Sequence, residues 1–216
     1  MDREVRAFIF DLDGVLVFTD KYHYQAWKKM ADRIGVYFDE TVNNRLRGIS
    51  RMKSLDIILE RAERQFSDHE KNLLAEEKNR YYFELLSAMK PSDVTAEVRD
   101  TLRKLQIMGY KLAIGSSSKN AKYILERVQL LEVFDTVSDG TNISKSKPDP
   151  EVFLKAAEYL GEKPENCIVV EDACAGIDAA VNSGMKAIGI GEAAGYSRTD
   201  YPIRTFADIM EVRKFI

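Results

Sequence analysis

The chain has 216 residues, of which 45% are apolar and 31% charged, and these values are typical of one or two globular domains with a sizeable core. The net charge of −3 gives no basic surplus, so we expect no nucleic-acid partner. No run approaches the roughly 20 apolar residues of a membrane span, and the mixed charges of the first six residues argue against a signal peptide. Two cysteines, Cys167 and Cys174, without zinc-like spacing favour a reducing compartment, so we expect a cytoplasmic protein.

Short apolar runs alternate with amphipathic segments of about ten residues through most of the chain. This alternation predicts βαβ units and a parallel sheet that is covered on both faces. The sequence therefore predicts an α/β fold with a Rossmann-like, doubly wound parallel sheet. The predicted strands are 5–10, 111–116, 167–172 and 186–191, with a weaker candidate at 135–139, and the predicted helices are 96–108, 119–128, 150–160 and 173–183.

The segment from about residue 19 to about residue 89 interrupts the alternation. It shows helical periodicity without a convincing strand, over 22–34, 41–46, 53–63 and 68–89. We therefore expect a core domain of 1–16 with 90–216 and an inserted α-helical cap domain of 17–89. Ligands of an open parallel sheet bind beyond the carboxyl ends of the strands, and the insertion arises there, so we expect it to act as a lid.

Carboxylates follow two of the predicted strands. In "FIFDLDGVL" Asp11 and Asp13 follow the first strand, and in "CIVVED" the acids Glu171 and Asp172 end a later one. Asp-Gly is also a common turn, and Asp172 is also a good N-cap for the next helix; a calcium loop is excluded because its later ligands are missing. Four carboxylates at one sheet edge need a cation, and such oxygen ligands suit Mg²⁺.

Two further segments can neutralise an anion at the same edge. "GSSSKN", from Gly115 to Asn120, offers hydroxyl and backbone N–H groups at a helix N-terminus, although Ser118 is equally a plain N-cap. In "SKSKPDPEVF" Lys147 precedes a proline and a predicted helix. It is either an ordinary solvated lysine or, if it faces this edge, the partner of a phosphate.

The motifs "FDLDGVL", "GSSS", "KSKPDP" and "VEDACAGIDAA", in this order and spacing, resemble the haloacid dehalogenase superfamily of phosphotransferases over essentially the whole chain. The resemblance implies that Asp11 is the nucleophile that forms an aspartyl-phosphate and that Asp13 is the general acid/base. It also implies that Ser116 and Lys147 hold the transferring phosphoryl group. Mg²⁺ is then bound by Asp11, the Asp13 backbone carbonyl and Asp172, with Glu171 close by.

Three residues of the helical insertion lie four positions apart, and helical spacing places them on one stripe. They are Thr19, His23 and Trp27. The stripe is either part of a substrate site near the catalytic loop or an ordinary core face, in which Trp27 packs with Met30 and Ile34 and His23 is a satisfied polar neighbour.

Two other segments of the insertion carry cationic side chains. In "LRGISRMKSL" Arg51 stands just before a predicted helix, where it can grip a phosphate with two hydrogen bonds or can be a surface charge. In "EEKNRYY" Lys78 and Asn79 lie on the longest predicted helix, for which a solvated face is the default interpretation.

Taken together, these segments resemble the β-phosphoglucomutase branch of the superfamily. The resemblance implies interconversion of β-D-glucose 1-phosphate and glucose 6-phosphate through β-glucose 1,6-bisphosphate, by a monomer whose partner is a small sugar phosphate. Arg51 is then expected to grip the phosphate that is not transferred, and His23 and Trp27 to help close the cap around the sugar. The implied substrate-binding set is Thr19, His23, Trp27, Gly48, Ser50, Arg51, Lys78, Ser116, Ser117, Ser118 and Asn120.

Three rival functions would use parts of the same sequence. A Mg²⁺-dependent sugar-phosphate phosphatase shares the nucleophile but lets water attack the phospho-enzyme, so the cap decides between it and a mutase. A non-catalytic sugar-phosphate binder is disfavoured because the acids and Lys147 are all present. A dinucleotide site at "GIGEAAG" is disfavoured because its glycine spacing is one residue too long, so this segment is interpreted as a loop at the edge of the active site.

One residue departs from the pattern of the branch, which usually has Asp-Thr shortly after the catalytic loop. This chain has Phe18-Thr19. The apolar ring can alter the hinge, lid closure or local packing, but the catalytic carboxylates are intact.

Overall fold

A computed structural model describes residues 4–46 and 49–215 of the chain. The described residues form two compact units. The α/β unit comprises residues of 1–18 and 90–216, and the helical unit comprises residues of 19–89. No helix in the described ranges is both long enough and apolar enough to cross a membrane.

The α/β unit contains a six-stranded sheet in which every neighbouring pair of strands is parallel, in the order β3-β2-β1-β4-β5-β6. This is the strand order of the Rossmann fold, and it reverses direction beside β1, where a ligand crevice forms. The predicted fold class is thereby confirmed. The strands are β1 (Ala7–Phe10), β2 (Lys111–Gly115), β3 (Thr136–Ser138), β4 (Cys167–Glu171), β5 (Lys186–Gly189) and β6 (Tyr201–Pro202).

Both faces of the central strands are buried, which explains why their sequences are continuous apolar runs. On one face Phe10 packs against Phe134 and Phe206. On the other, Ile9 and Phe153 belong to one buried apolar cluster. Gly115 packs closely against this face, because an added Cβ would stand 2.6 Å from the Phe153 ring.

The helices of the α/β unit lie close to their predicted positions. They are α5 (Ala96–Ile107), α6 (Ala121–Arg127), α7 (Glu151–Leu160), α8 (Cys174–Asn182) and a short α9 (Ile209–Val212). Neither β6 nor α9 was predicted, because two and four residues are too short to establish a periodicity.

The helical unit contains α1 (Asp20–Arg33), α2 (Glu40–Asn44), α3 (Arg51–Leu59) and α4 (Asp68–Leu86). The last of these begins with a capping box, in which Ser67 and Glu70 satisfy each other's backbone N–H groups. An apolar cluster that includes Trp27, Met30 and Leu55 forms its core. The described residues of this unit form the four predicted helices and no strand.

Candidate active site

Three carboxylates meet at the carboxyl ends of β1 and β4. Asp11 follows β1, and its N–H donates to Val170 O at 2.9 Å, so the sheet pairing continues past the end of the strand. Glu171 is the last residue of β4, and Asp172 follows it. Each of the three acids offers one oxygen, and these oxygens all lie within 4.8 Å of one another. Parallel pairing of neighbouring strands therefore brings together acids that are 160 residues apart in sequence.

A tight loop after β1 carries Asp13. It is closed by a bridge between Asp13 and Val17 and by a hydrogen bond from Gly14 N to Val17 O at 2.8 Å. Gly14 has a φ of +84°, and an added Cβ would stand 2.0 Å from Asp172 Oδ2. Only glycine fits there, so the backbone of this loop passes directly against the Asp172 carboxylate.

Lys147 neutralises part of the negative charge. Its Nζ lies 2.5 Å from Asp11 Oδ1 and 2.6 Å from Glu171 Oε1, and only 9% of its side chain is exposed. Burial lowers the pKa of the ammonium, but the two carboxylates outweigh burial and raise it above the ordinary value. Lys147 is therefore a permanent cation inside the acidic cluster, and a solvated lysine is excluded.

One lysine does not fully compensate the acids. Burial raises the pKa of Asp11 well above its ordinary value despite the nearby Lys147, and Glu171 and Asp172 add to the increase. Burial and the Glu171 charge raise the pKa of Asp172 to about 7. Clustered, desolvated oxygen ligands with this residual repulsion fit a hard divalent cation such as Mg²⁺.

The alternative role of Asp172 as a helix cap is wrong. Helix α8 begins at Cys174, its N-cap is Ala173, and no side chain caps it there. Instead the Glu171 carboxylate accepts a hydrogen bond from Ala173 N at 2.9 Å. Asp172 is thus left to face the acidic cluster.

The Ser116–Ser118 segment forms a turn at the carboxyl end of β2. Ser116 N donates to Ser138 O at 3.0 Å, and its hydroxyl accepts from Ser118 N at 3.2 Å. Ser118 is not the N-cap of α6, because that position is Asn120, which is buried. The Ser117 hydroxyl is buried and, among the described residues, has no hydrogen-bond partner.

In the helical unit, the predicted stripe on α1 meets α4. Lys78 is only 2% exposed, so the solvated interpretation of this lysine is wrong. Its Nζ lies 2.8 Å from His23 Nδ1 and 4.8 Å above the Trp27 ring. Desolvation and the charges of Lys78 and Arg51 lower the pKa of His23 well below its ordinary value. The ring is therefore neutral and accepts a hydrogen bond from Lys78.

The other residues expected to bind substrate in this unit have defined positions. Thr19, which is buried, precedes α1 and accepts a hydrogen bond from Tyr82 OH at 3.0 Å. Ser50 caps α3, and Arg51 is the first residue of that helix and donates to Asn79 Oδ1 at 2.9 Å. Trp27 is buried in the apolar core, as its core-face alternative predicted. Gly48 lies outside the described residues.

A family model of haloacid dehalogenase-like hydrolases matches residues 5–184. The chain belongs to this family. The resemblance seen in its motifs is confirmed.

Individual members of the family resemble the chain to different degrees. The chain is 40% identical to β-phosphoglucomutase of Bacillus subtilis over 95% of this chain and 92% of the relative. It is 32% identical to a phosphorylated carbohydrates phosphatase of Thermotoga maritima over 85% of this chain and 84% of the relative. The crystal structure of β-phosphoglucomutase from Clostridium difficile matches with a TM-score of 0.89 and 37% identity, covering 98% of both chains.

Sequence reasoning missed two backbone contacts of this haloacid dehalogenase-like site. Ser138 O receives the N–H of Ser116, and Ala193 N donates to Asp172 O at 3.0 Å. The first contact uses main-chain atoms alone and leaves no signal in residue identity. For the second, the glycines of "GIGEAAG" were the available signal, since Gly189 packs against the Ala193 carbonyl.

Proposed function

We propose that this haloacid dehalogenase-like protein is a β-phosphoglucomutase, which interconverts β-D-glucose 1-phosphate and glucose 6-phosphate. The observation that carries the proposal is the Asp11–Glu171–Asp172 cluster with Lys147 inside it, in a chain 40% identical to a β-phosphoglucomutase over nearly its whole length. Such a cluster suits phosphoryl transfer, which depends on positioning and on neutralised oxygens.

Asp11 is the proposed nucleophile. Its carboxylate attacks phosphorus and forms an acyl-phosphate bond as the bond from phosphorus to the sugar oxygen breaks. Asp13, two residues further along the tight loop, donates a proton to the departing sugar oxygen and removes one from the attacking hydroxyl in the reverse step. Phospho-Asp11 transfers its phosphoryl group to the 6-hydroxyl of glucose 1-phosphate and forms β-glucose 1,6-bisphosphate. The bisphosphate then turns round, and Asp11 accepts the phosphoryl group of the 1-position, which releases glucose 6-phosphate and restores the phospho-enzyme.

Mg²⁺ is the proposed cofactor, held by Asp11, the Asp13 backbone carbonyl and Asp172, with Glu171 nearby. When bound, it neutralises charge on the oxygens of the transferring phosphoryl group. Lys147, whose ammonium is already fixed between Asp11 and Glu171, binds the same phosphoryl group from the protein side.

The turn after β2 supplies the remaining contacts to the transferred group. We assign this role to Ser116 and its neighbours Ser117, Ser118 and Asn120, because hydroxyl and N–H donors there lie at the carboxyl end of a strand next to β1. The buried Ser117 hydroxyl is a donor that lacks an acceptor among the described residues, and a phosphate oxygen would satisfy it.

The helical unit supplies the proposed contacts to the sugar and to the phosphate that is not transferred. Arg51 is partly buried at the start of α3, where its guanidinium and the helix N-terminus favour an anion. Lys78 adds a second buried cation. We assign substrate contacts in this unit to Thr19, His23, Trp27, Gly48, Ser50, Arg51 and Lys78.

A phosphatase is the second candidate, since a relative 32% identical to the chain is a phosphorylated carbohydrates phosphatase. The two activities differ only in whether water or a sugar hydroxyl attacks the phospho-enzyme. We place the mutase first because the more similar relative is a mutase. We further propose that the protein acts as a monomer in a reducing compartment such as the cytoplasm, which suits its free cysteines.

The test is a coupled assay for glucose 6-phosphate with β-glucose 1-phosphate, Mg²⁺ and a trace of β-glucose 1,6-bisphosphate, while released phosphate is measured in parallel. We expect isomerisation to exceed phosphate release at least ~10²-fold. Phosphate release without isomerisation would identify a phosphatase.

Two variants separate the chemistry from sugar recognition. Asp11→Asn should lower both activities at least ~10³-fold, because it removes the nucleophile. Arg51→Ala should slow isomerisation by ~10²-fold but leave hydrolysis of acetyl phosphate, which carries no sugar, within twofold. Equal losses on both substrates would argue against a sugar-phosphate role for Arg51.

A further inference from the structure

The loop after β5 holds the backbone of both Glu171 and Asp172. We call residues 190–199 the brace loop. Its Ile190 N donates to Glu171 O at 2.9 Å, and its Ala193 N donates to Asp172 O at 3.0 Å. The main chain that carries two of the three clustered carboxylates therefore depends on this loop for its hydrogen bonds.

Hydrogen bonds and close packing hold the inner part of the brace loop in place. The hydroxyl of Thr199 donates to Ala193 O at 2.6 Å, and Tyr196 N donates to the same carbonyl at 3.1 Å. A Cβ added to Gly189 would stand 2.6 Å from that oxygen, so the loop is packed tightly against β5. Ala193 cannot shift without disturbing these contacts.

Side chains fasten the outer part of the loop to α8. Tyr196 OH donates to Asp178 Oδ1 at 3.0 Å, Arg198 forms an ion pair with the same carboxylate, and its other nitrogen donates to Asn182 Oδ1 at 3.3 Å. Asp178 and Asn182 lie one turn apart on one face of the helix. The brace loop therefore contacts the main chain of Glu171 and Asp172 in two ways. It binds this main chain directly, and it also binds α8, which begins two residues after Asp172.

We propose that Tyr196 and Arg198 are positioning residues that set the affinity of the acidic cluster for a divalent cation, by locking the brace loop and with it the main chain of Asp172. The inference rests on the metal site of the proposed function. Ligand oxygens must be held within about 0.5 Å of their productive positions, and loss of outer contacts that orient metal ligands typically lowers affinity 10–100-fold.

The test measures Mg²⁺ binding by isothermal titration calorimetry, without substrate, to the full chain and its variants. Tyr196→Phe removes one hydrogen bond, Arg198→Gln removes the ion pair, and the double variant removes both. We expect the Kd for Mg²⁺ to increase about threefold to tenfold in each single variant and at least tenfold in the double variant. Arg198→Lys, which keeps the charge, should restore most of the affinity.

A matched control distinguishes positioning from general stability. Arg45→Gln removes an ion pair with Glu60 in the helical unit, and the side-chain exposure of Arg45, 48%, is similar to the 40% of Arg198. It should lower the Tm as much as Arg198→Gln does, yet leave the Kd for Mg²⁺ within twofold. The circular dichroism spectrum of each variant reports whether it has folded, and Tyr196→Phe, which changes one atom, keeps the test informative if the double variant does not fold.

The outcomes separate this inference from the metal site itself. If the unmodified protein binds Mg²⁺ and the brace-loop variants bind it equally tightly while their Tm falls, the inference is wrong and the metal site stands. If the unmodified protein itself binds no Mg²⁺, both are wrong. A selective loss of affinity in the brace-loop variants supports the inference.

Discussion

Lys147 Nζ lies 2.5 Å from Asp11 Oδ1, although the two residues are 136 positions apart in sequence. The contact places a buried cation against the proposed nucleophile. The ammonium stabilises the anionic form of Asp11, which must attack phosphorus. The same ammonium also donates to Glu171, so the three side chains form one network. The positive charge of Lys147 therefore affects both the stability of the α/β unit and the proposed phosphoryl transfer.

Replacing Lys147 by Met should lower the free energy of unfolding at pH 8 by about 3–5 kcal/mol, since removal of one partner leaves buried carboxylates uncompensated. The penalty should be smaller at pH 5, because Asp11 already has a raised pKa and takes up a proton more readily without the lysine. Urea denaturation at the two pH values measures this difference.

Lys145→Met is the control for that variant. Lys145 lies on the same loop, but 70% of its side chain is exposed. Its Nζ lies 3.6 Å from Asp149 Oδ2, which is a weak surface ion pair. The expected change is within about 0.5 kcal/mol at either pH. Equal effects of the two variants would contradict the role assigned to Lys147.

Asp172→Asn should raise the Tm of the metal-free protein at pH 8. Burial and Glu171 raise the pKa of Asp172 from 3.8 to about 7, so ionisation opposes folding increasingly between these two pH values. The penalty is complete at pH 8, and the neutral amide removes it. Each kcal/mol recovered corresponds to about 2–4 °C in a chain of this size. At pH 5, where the native carboxyl is already protonated, the gain should shrink.

The same variant should abolish the increase in Tm that Mg²⁺ produces in the unmodified protein, because it removes a ligand. Differential scanning fluorimetry with and without Mg²⁺ measures both effects. A variant that is less stable at pH 8 and still responds to Mg²⁺ would show that Asp172 is a structural residue rather than a metal ligand.

Binding of Mg²⁺ should weaken below about pH 7. The cation must then displace a proton from Asp172, whose pKa is raised to about 7, so the apparent affinity should fall by up to ~tenfold per pH unit. Calorimetry at pH 6 and pH 8, in buffers of different ionisation enthalpy, gives both the affinity and the number of protons released. A Kd that is the same at both pH values would refute this coupling.

The fold was predictable because its signal is local and repeated. Buried parallel strands produce runs such as Phe8–Phe10 and Ile168–Val170, and the carboxyl ends of such strands meet by topology alone. The meeting of Asp11 with Asp172 therefore follows from strand order and needs no knowledge of side-chain packing.

Other contacts left no local signal. The burial of Lys78 depends on how α1 and α4 pack, and a lysine in a helical sequence is usually exposed. The start of α8 at Cys174, two residues after Asp172, depends on the Glu171 carboxylate binding Ala173 N. A tertiary contact decided the first case, and a local hydrogen bond between residues two positions apart decided the second.

Gly176→Ala should damage the acidic cluster, although alanine is about 1 kcal/mol better than glycine inside a helix. An added Cβ would stand 1.9 Å from Glu171 Oε1, the oxygen that binds Lys147. We expect a net decrease in the free energy of unfolding and weaker Mg²⁺ binding, measured by urea denaturation and calorimetry. Gly195→Ala is the control, since its added Cβ meets no heavy atom within 4 Å; similar losses in both variants would show that the clash with Glu171 is not the cause.

His23 should make the helical unit sensitive to acid. Desolvation, Lys78 and Arg51 lower its pKa well below 6.5, so the unfolded state takes up a proton first and stability is lost as the pH falls below 6.5. Each unit of pKa difference corresponds to about 1.4 kcal/mol. Trp27 is the only tryptophan of the chain, so its fluorescence during urea denaturation at pH 7.5 and pH 5.0 reports this unit directly.

His23→Gln should reduce the loss between these two pH values, because glutamine takes up no proton. The other histidine, His69, is exposed near the start of α4 and provides the matched control. His69→Gln should leave the pH dependence of the Trp27 transition unchanged. If both variants behave like the unmodified protein, other groups cause the acid sensitivity. That result would contradict the conclusion that His23 is neutral and accepts a hydrogen bond from Lys78.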